Sequence, residues 1–184
     1  MSGAEGPIVV FGIGNILLRD DGIGVHVVQA LERLVERGEV RLRPDTRLVD
    51  GGTLGMDLLP LVAGSRALVL VDAVCGGRPP GTVEVVRGAA VGARQSGTGP
   101  STDTGVGNLV EAAALLDTLP DTVVLVGIEP GEITVGLELG PAVRAALPAA
   151  VATLVDELAR LDGIAPSPTF DLANREREMT GATA

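Results

Sequence analysis

Short, unbroken aliphatic runs constrain the fold of this chain most. Ile8-Val9-Val10-Phe11 and Leu68-Val69-Leu70-Val71 have no polar residue at alternate positions, so both faces of each must be covered. The spacing predicts strands over residues 8–11, 46–50, 67–73, 82–87 and 123–129, with a short one at 133–137. Helical periodicity falls between them, at 23–34, 56–63, 105–116 and 142–161. Pro148 is expected to kink or break the last helix, because it lacks an amide hydrogen and crowds the preceding turn. This alternation predicts an α/β fold, a three-layer α/β/α sandwich around a mostly parallel twisted sheet. Residues 1–162 read as one domain. Residues 163–184 lack apolar periodicity and read as a mobile C-terminal tail. A Gly/Ser/Thr-rich loop at 88–104 is longer than most connections, and such loops are usually disordered or functional.

The composition fits that fold and excludes several partners. The chain is 46% hydrophobic with no Trp, no Tyr and two Phe, so its core must be aliphatic. A formal net charge of -10 argues against nucleic acid and against an anionic membrane surface. No apolar run reaches membrane-spanning length, and Met1-Ser2-Gly3-Ala4-Glu5 lacks a signal peptide's basic start. One cysteine, Cys75, excludes an internal disulfide and a thiolate metal cluster. The expectation is a soluble cytoplasmic protein.

Candidate chemistry lies where strands end. Gly12-Ile13-Gly14-Asn15-Ile16-Leu17-Leu18-Arg19-Asp20-Asp21-Gly22-Ile23-Gly24 joins the first strand to the first helix and puts two carboxylates at the junction. In open α/β sheets that crevice is where sites are built. Asp21 would sit near the positive end of the helix dipole, which favours its ionised form. Asp20 reads as the helix cap. Asp72 ends an apolar run that should be a central strand, and a charge there needs a partner or a purpose. Asp50 precedes Gly51-Gly52-Thr53, where a turn role is at least as good a reading as a site role. If Asp21 and Asp72 converge, one pKa must rise unless a cation joins them. Shared-proton acid/base chemistry and a metal site both remain open on this reasoning.

Other residues offer less. His26, the only histidine, shares a helix face with Gln29, Arg33 and Arg37, opposite Val27, Leu31 and Leu34, and is read as solvent-facing. Cys75 has no histidine expected nearby to activate a thiolate. Gly12-Ile13-Gly14 is half a dinucleotide fingerprint, but the third glycine is missing and two aspartates would repel a pyrophosphate. No nucleotide cofactor is expected.

The opening motif resembles that of the nickel–iron hydrogenase maturation proteases. The likeness continues through Val49-Asp50-Gly51-Gly52-Thr53-Leu54-Gly55, Leu70-Val71-Asp72-Ala73-Val74, Pro80-Gly81-Thr82-Val83 and Val124-Leu125-Val126-Gly127-Ile128-Glu129-Pro130. The resemblance implies an α/β/α fold and an endopeptidase that removes the C-terminal extension of a nickel-loaded hydrogenase large-subunit precursor. It implies a metal site of two carboxylates and a histidine, with the nickel supplied by the precursor. The carboxylates fall on Asp21 and Asp72, which are therefore the expected catalytic and metal-holding residues.

The histidine does not carry over. Its position falls at Thr104, in Pro100-Ser101-Thr102-Asp103-Thr104-Gly105-Val106-Gly107. Imidazole suits nickel, whereas carboxylates prefer harder ions. Three readings follow. Asp103 supplies an oxygen ligand beside Asp21 and Asp72; two carboxylates suffice because the precursor's cysteines already hold the metal; or the protein binds a precursor without cutting it, as a chaperone or metal-checkpoint factor. Asp103 also reads as the N-cap of the helix at 105–116.

Overall fold

The computed structural model of the protein describes residues 6–95 and 106–163. Its centre is a five-stranded sheet in the order β2-β1-β3-β5-β4. The strands are β1 (Ile8–Ile13), β2 (Thr46–Gly52), β3 (Ala67–Ala73), β4 (Val83–Arg87) and β5 (Thr122–Ile128). All pairings are parallel except that of β4 with β5. β1 and β3 are buried along their whole length, as unbroken aliphatic runs require.

Successive residues of the central strands feed two separate cores. Val10, Val69, Val71, Val124 and Val126 pack with Val27, Leu31, Leu154 and Leu158 of α1 (Ile23–Glu36) and α5 (Pro141–Leu161). Val9, Phe11, Leu68, Leu70 and Leu125 pack on the other face, with Leu58, Val62, Val91, Leu109 and Ala113. These last come from α2 (Leu59–Val62), the 3-10 turn before it, α3 (Ala90–Gln95) and α4 (Val106–Leu115). Helices thus cover both faces of the sheet.

Four expectations need correction. Part of the 88–104 loop is helical: α3 forms over Ala90–Gln95 and is anchored by buried Val91. The strand expected at 133–137 is reduced to one bridge, Leu18 with Gly136. α5 continues through Pro148, because Val143 lies before it and Ala150, Val151, Leu154 and Leu158 after it, all buried in one core. That burial outweighs the roughly 3 kcal/mol that an interior proline costs. Asp20 does not cap α1: the helix N-terminus has no side-chain cap bond. The expected tail, apart from Gly163, lies outside the described residues, as do Asp103 and Thr104. Among the described residues, no helix is long and apolar enough to cross a membrane.

Candidate active site

The strand order reverses direction at β1, whose neighbours are β2 on one side and β3 on the other. The chain leaves β1 through a tight loop, makes a 3-10 turn at Arg19–Gly22 and enters α1. Asp21 lies in that turn, and Asp72 is the next-to-last residue of β3. Both therefore lie at the topological switch point, where open α/β sheets place ligands.

Two glycines make the approach possible. A Cβ at Gly24 would lie 2.1 Å from the Val71 carbonyl oxygen and 2.4 Å from that of Ile13, so the start of α1 rests directly on the ends of β1 and β3. Gly14 has φ +124, and a Cβ there would lie 1.8 Å from the Asp21 carbonyl oxygen. Only glycine lets the loop fold back this closely.

Asp21 is buried, and its Oδ2 accepts the Asn15 backbone N–H at 2.8 Å. Burial raises its pKa more than that bond lowers it, so the expected ease of ionisation at the helix end is overruled. Asp72 is more perturbed. Its carboxyl is pushed up to about 8, mainly by burial, against the bond to its Oδ1 from the Ala73 backbone N–H and with a smaller upward push from the Asp21 charge. The structure thus brings Asp21 and Asp72 into electrostatic contact. A proton or a cation must sit with the pair at neutral pH.

The remaining candidates separate. Asp50 is exposed at the end of β2, and its Oδ2 accepts from Gln29 Nε2 at 3.0 Å. His26 is half-buried rather than solvent-facing, and Asp50 at the end of β2 lies close enough to act on its charge. Its Nε2 is buried without a hydrogen-bond partner. Burial lowers its pKa, Arg33 lowers it further, and Asp50 opposes them. Cys75 is exposed. Among the described residues, no three His, Cys, Asp or Glu side chains cluster to hold a metal.

Sequence reasoning did not assign the roles of two further buried carboxylates, Asp20 and Glu129. Asp20 accepts three backbone N–H groups from residues 131–140. Glu129 accepts those of Gly76 and Gly77 at 2.7 and 3.0 Å, fixing the loop that follows Asp72. Glu129 stands just past the end of β5, so the strand-end argument that found Asp72 also finds it. Two concavities flank the Asp21 turn. One of about 650 Å³ is lined by Arg19, Leu137, Gly140 and Arg144, and one of about 280 Å³ by Asn15, Ile16, Leu17 and Asp50.

A family model for hydrogenase maturation proteases, HycI, matches residues 25–157. The chain belongs to the hydrogenase maturation protease family. It is 33% identical over 174 residues to the hydrogenase expression/formation protein HoxM of Cupriavidus necator, covering 92% of this chain and 82% of that one. It is 32% identical to the hydrogenase 2 maturation protease of Escherichia coli, covering 88% and 95%. The solved structure of the hydrogenase maturating endopeptidase HybD from E. coli superposes with a TM-score of 0.76 at 32% identity, over 86% of this chain and 95% of that one. The family consists of endopeptidases of hydrogenase maturation, and its fold is the sandwich described above.

Proposed function

We propose that this maturation protease hydrolyses a peptide bond near the C-terminus of a hydrogenase large-subunit precursor, with Asp21 and Asp72 as the working carboxylates and the precursor's nickel as the metal they meet. The observation that carries this reading is the buried, electrostatically coupled Asp21–Asp72 pair at the switch-point crevice of a maturation-protease fold. Its chemistry supports a cation-seeking role. With Asp72 pushed up to about 8, a second negative charge is disfavoured in the pair at neutral pH unless a cation accompanies it.

The donor set is compatible with a metal that arrives already held by the precursor. Asp21 and Asp72 supply two oxygens, too few for a self-sufficient site, and cysteine thiolates of a precursor would complete the coordination. Such a metal, when present, polarises a carbonyl or lowers the pKa of water. The chain's own residues do the rest. The Asn15 N–H orients the Asp21 carboxylate, and the Ala73 N–H orients that of Asp72. An ionised Asp21 beside a protonated Asp72 can also take a proton from water and return one to the leaving amine. Asp103, outside the described residues, is our proposed third oxygen ligand in the alternative arrangement, where the precursor's thiolates do not complete the site.

The surroundings suit a protein substrate. Ile16 and Leu17 are large apolar side chains left exposed beside the Asp21 turn, and Leu137 is exposed on the segment bonded to Leu17 through Gly136. Exposed apolar side chains of this kind suit contact with a protein partner.

The test is incubation of the protein with a purified precursor carrying its C-terminal extension, nickel-loaded or nickel-free, followed by intact-mass spectrometry. Loss of the extension from the loaded form alone supports the reading. Stable binding with no mass change would favour the chaperone or checkpoint reading, which the absent histidine motivates.

A further inference from the structure

Asp20 and Asp21 are adjacent and both buried, yet they face different partners. Asp20 Oδ2 accepts the backbone N–H groups of Gly131 and Glu132, each at 2.9 Å, and Oδ1 accepts that of Gly140 at 2.6 Å. The backbone on either side is tied to the same segment. Asp20 N–H donates to the Glu132 carbonyl at 3.3 Å, Arg19 N–H to that of Gly136 at 3.0 Å, and Gly136 N–H to that of Leu17 at 2.9 Å. Close approach depends on small residues. A Cβ at Gly131 would lie 3.2 Å from Asp20 Oδ2, and one at Gly140 would lie 3.1 Å from the same oxygen.

The segment at 131–140 has little apolar anchorage of its own. Val135 and Leu137 are exposed, and only Leu139 reaches the core. The Asp20 carboxylate serves three of the segment's amides at once, beside the backbone bonds just given and the Arg19–Glu132 ion pair, and charge-assisted bonds of this kind are stronger than neutral ones. The turn it grips is also under strain. Arg19 has φ 51, a left-handed conformation that a side-chain-bearing residue holds only when its surroundings impose it. Asp21 follows two residues later and is itself braced by Asn15.

We propose that Asp20 is a positioning residue: by clasping three backbone amides of residues 131–140 it locks the strained Arg19–Gly22 turn and so fixes the Asp21 carboxylate opposite Asp72. Only its kinetic arm rests on the hydrolytic reading above. A purely structural role would loosen residues 131–140 and leave Asp21 where it is. The Asn15 amide separates these cases, because its hydrogen bond reports directly on the Asp21 carboxylate.

The experiment is amide hydrogen exchange by NMR on the full-length protein and its Asp20→Asn variant, with cleavage kinetics on precursor. An asparagine there presents one acceptor oxygen and an NH₂ group to three donors. Protection at Gly131, Glu132 and Gly140 should fall about tenfold or more, and protection at Asn15 should fall with it, while the β3 and β5 amides stay unchanged. The kcat should drop roughly 10- to 100-fold with KM within about twofold, as for a displaced reacting group. Gly140→Ala, which keeps the carboxylate but crowds it, should move the same amides to a smaller degree. Glu157→Gln, which disturbs the Arg87–Glu157 pair between β4 and α5, should lower stability without altering Asn15 protection. Unchanged Asn15 protection in Asp20→Asn, or a rise in KM with kcat preserved, overturns the proposal. If the wild type cuts no precursor, the hydrolytic reading fails, and the Asn15 signal still decides the role of Asp20.

Discussion

Replacing Asp72 with asparagine should change how stability depends on pH in a calculable way. Burial pushes the Asp72 carboxyl from 3.8 in the unfolded chain to about 8 in the folded one. Between those values the unfolded state releases the proton and the folded state keeps it. Folding stability therefore falls as pH rises, beginning near pH 4 and levelling off above about 8. Each pH unit in that window is worth about 1.4 kcal/mol, so the whole span amounts to something on the order of 6 kcal/mol. Asparagine keeps the acceptor oxygen for the Ala73 N–H and has no proton to lose. Urea unfolding with chelator present, at intervals from pH 4.5 to 9, should show wild type and Asp72→Asn close together at the acid end. The variant should lead by several kcal/mol at the alkaline end. Parallel curves across this range would refute the claim that Asp72 is held uncharged by burial.

Three further outcomes follow from the same structure. Gly24→Ala forces a methyl against the Val71 and Ile13 carbonyls and should cost about 3 kcal/mol or more in denaturant unfolding, because backbone cannot step aside; a loss within about 0.5 kcal/mol, as for an ordinary surface change, contradicts the packing argument. His26 has its pKa lowered by burial, so the unfolded state takes up a proton first and stability falls as pH drops through 6.5. His26→Leu should therefore gain thermal stability relative to wild type at pH 5.5 compared with pH 7.5, and a pH-independent difference would show that the imidazole is freely solvated. Glu129→Gln leaves the Gly76 and Gly77 amides with one acceptor oxygen and should destabilise by about 1–3 kcal/mol. Hydrogen exchange should speed up at those two amides first, and unaltered exchange there would exclude the clasp.

Much of the fold was legible because buried parallel strands write themselves as unbroken aliphatic runs. β1 and β3 needed nothing more than Ile8-Val9-Val10-Phe11 and Leu68-Val69-Leu70-Val71. α3 was hidden because a six-residue helix with one buried apolar anchor has no period to read. Pro148 misled because local cost was weighed without the core that α5 joins on both sides of it. At the site, strand-end logic located Asp21 and Asp72. It could not assign Asp20, whose partners lie more than a hundred residues along the chain and present only backbone. His26 was misjudged for a related reason. Helical periodicity identifies the face but not the end of β2, with Asp50, that comes to lie beside it.

The most direct test of the Asp21–Asp72 site is single-turnover cleavage of a nickel-loaded precursor by wild type, Asp21→Asn, Asp72→Asn and the double variant. If the two carboxylates act as one unit, each single change should slow the cut by roughly 10³-fold, and the double variant should be hardly slower than the worse single one. A single variant that cuts at the wild-type rate, or losses that multiply in the double variant, would contradict the account.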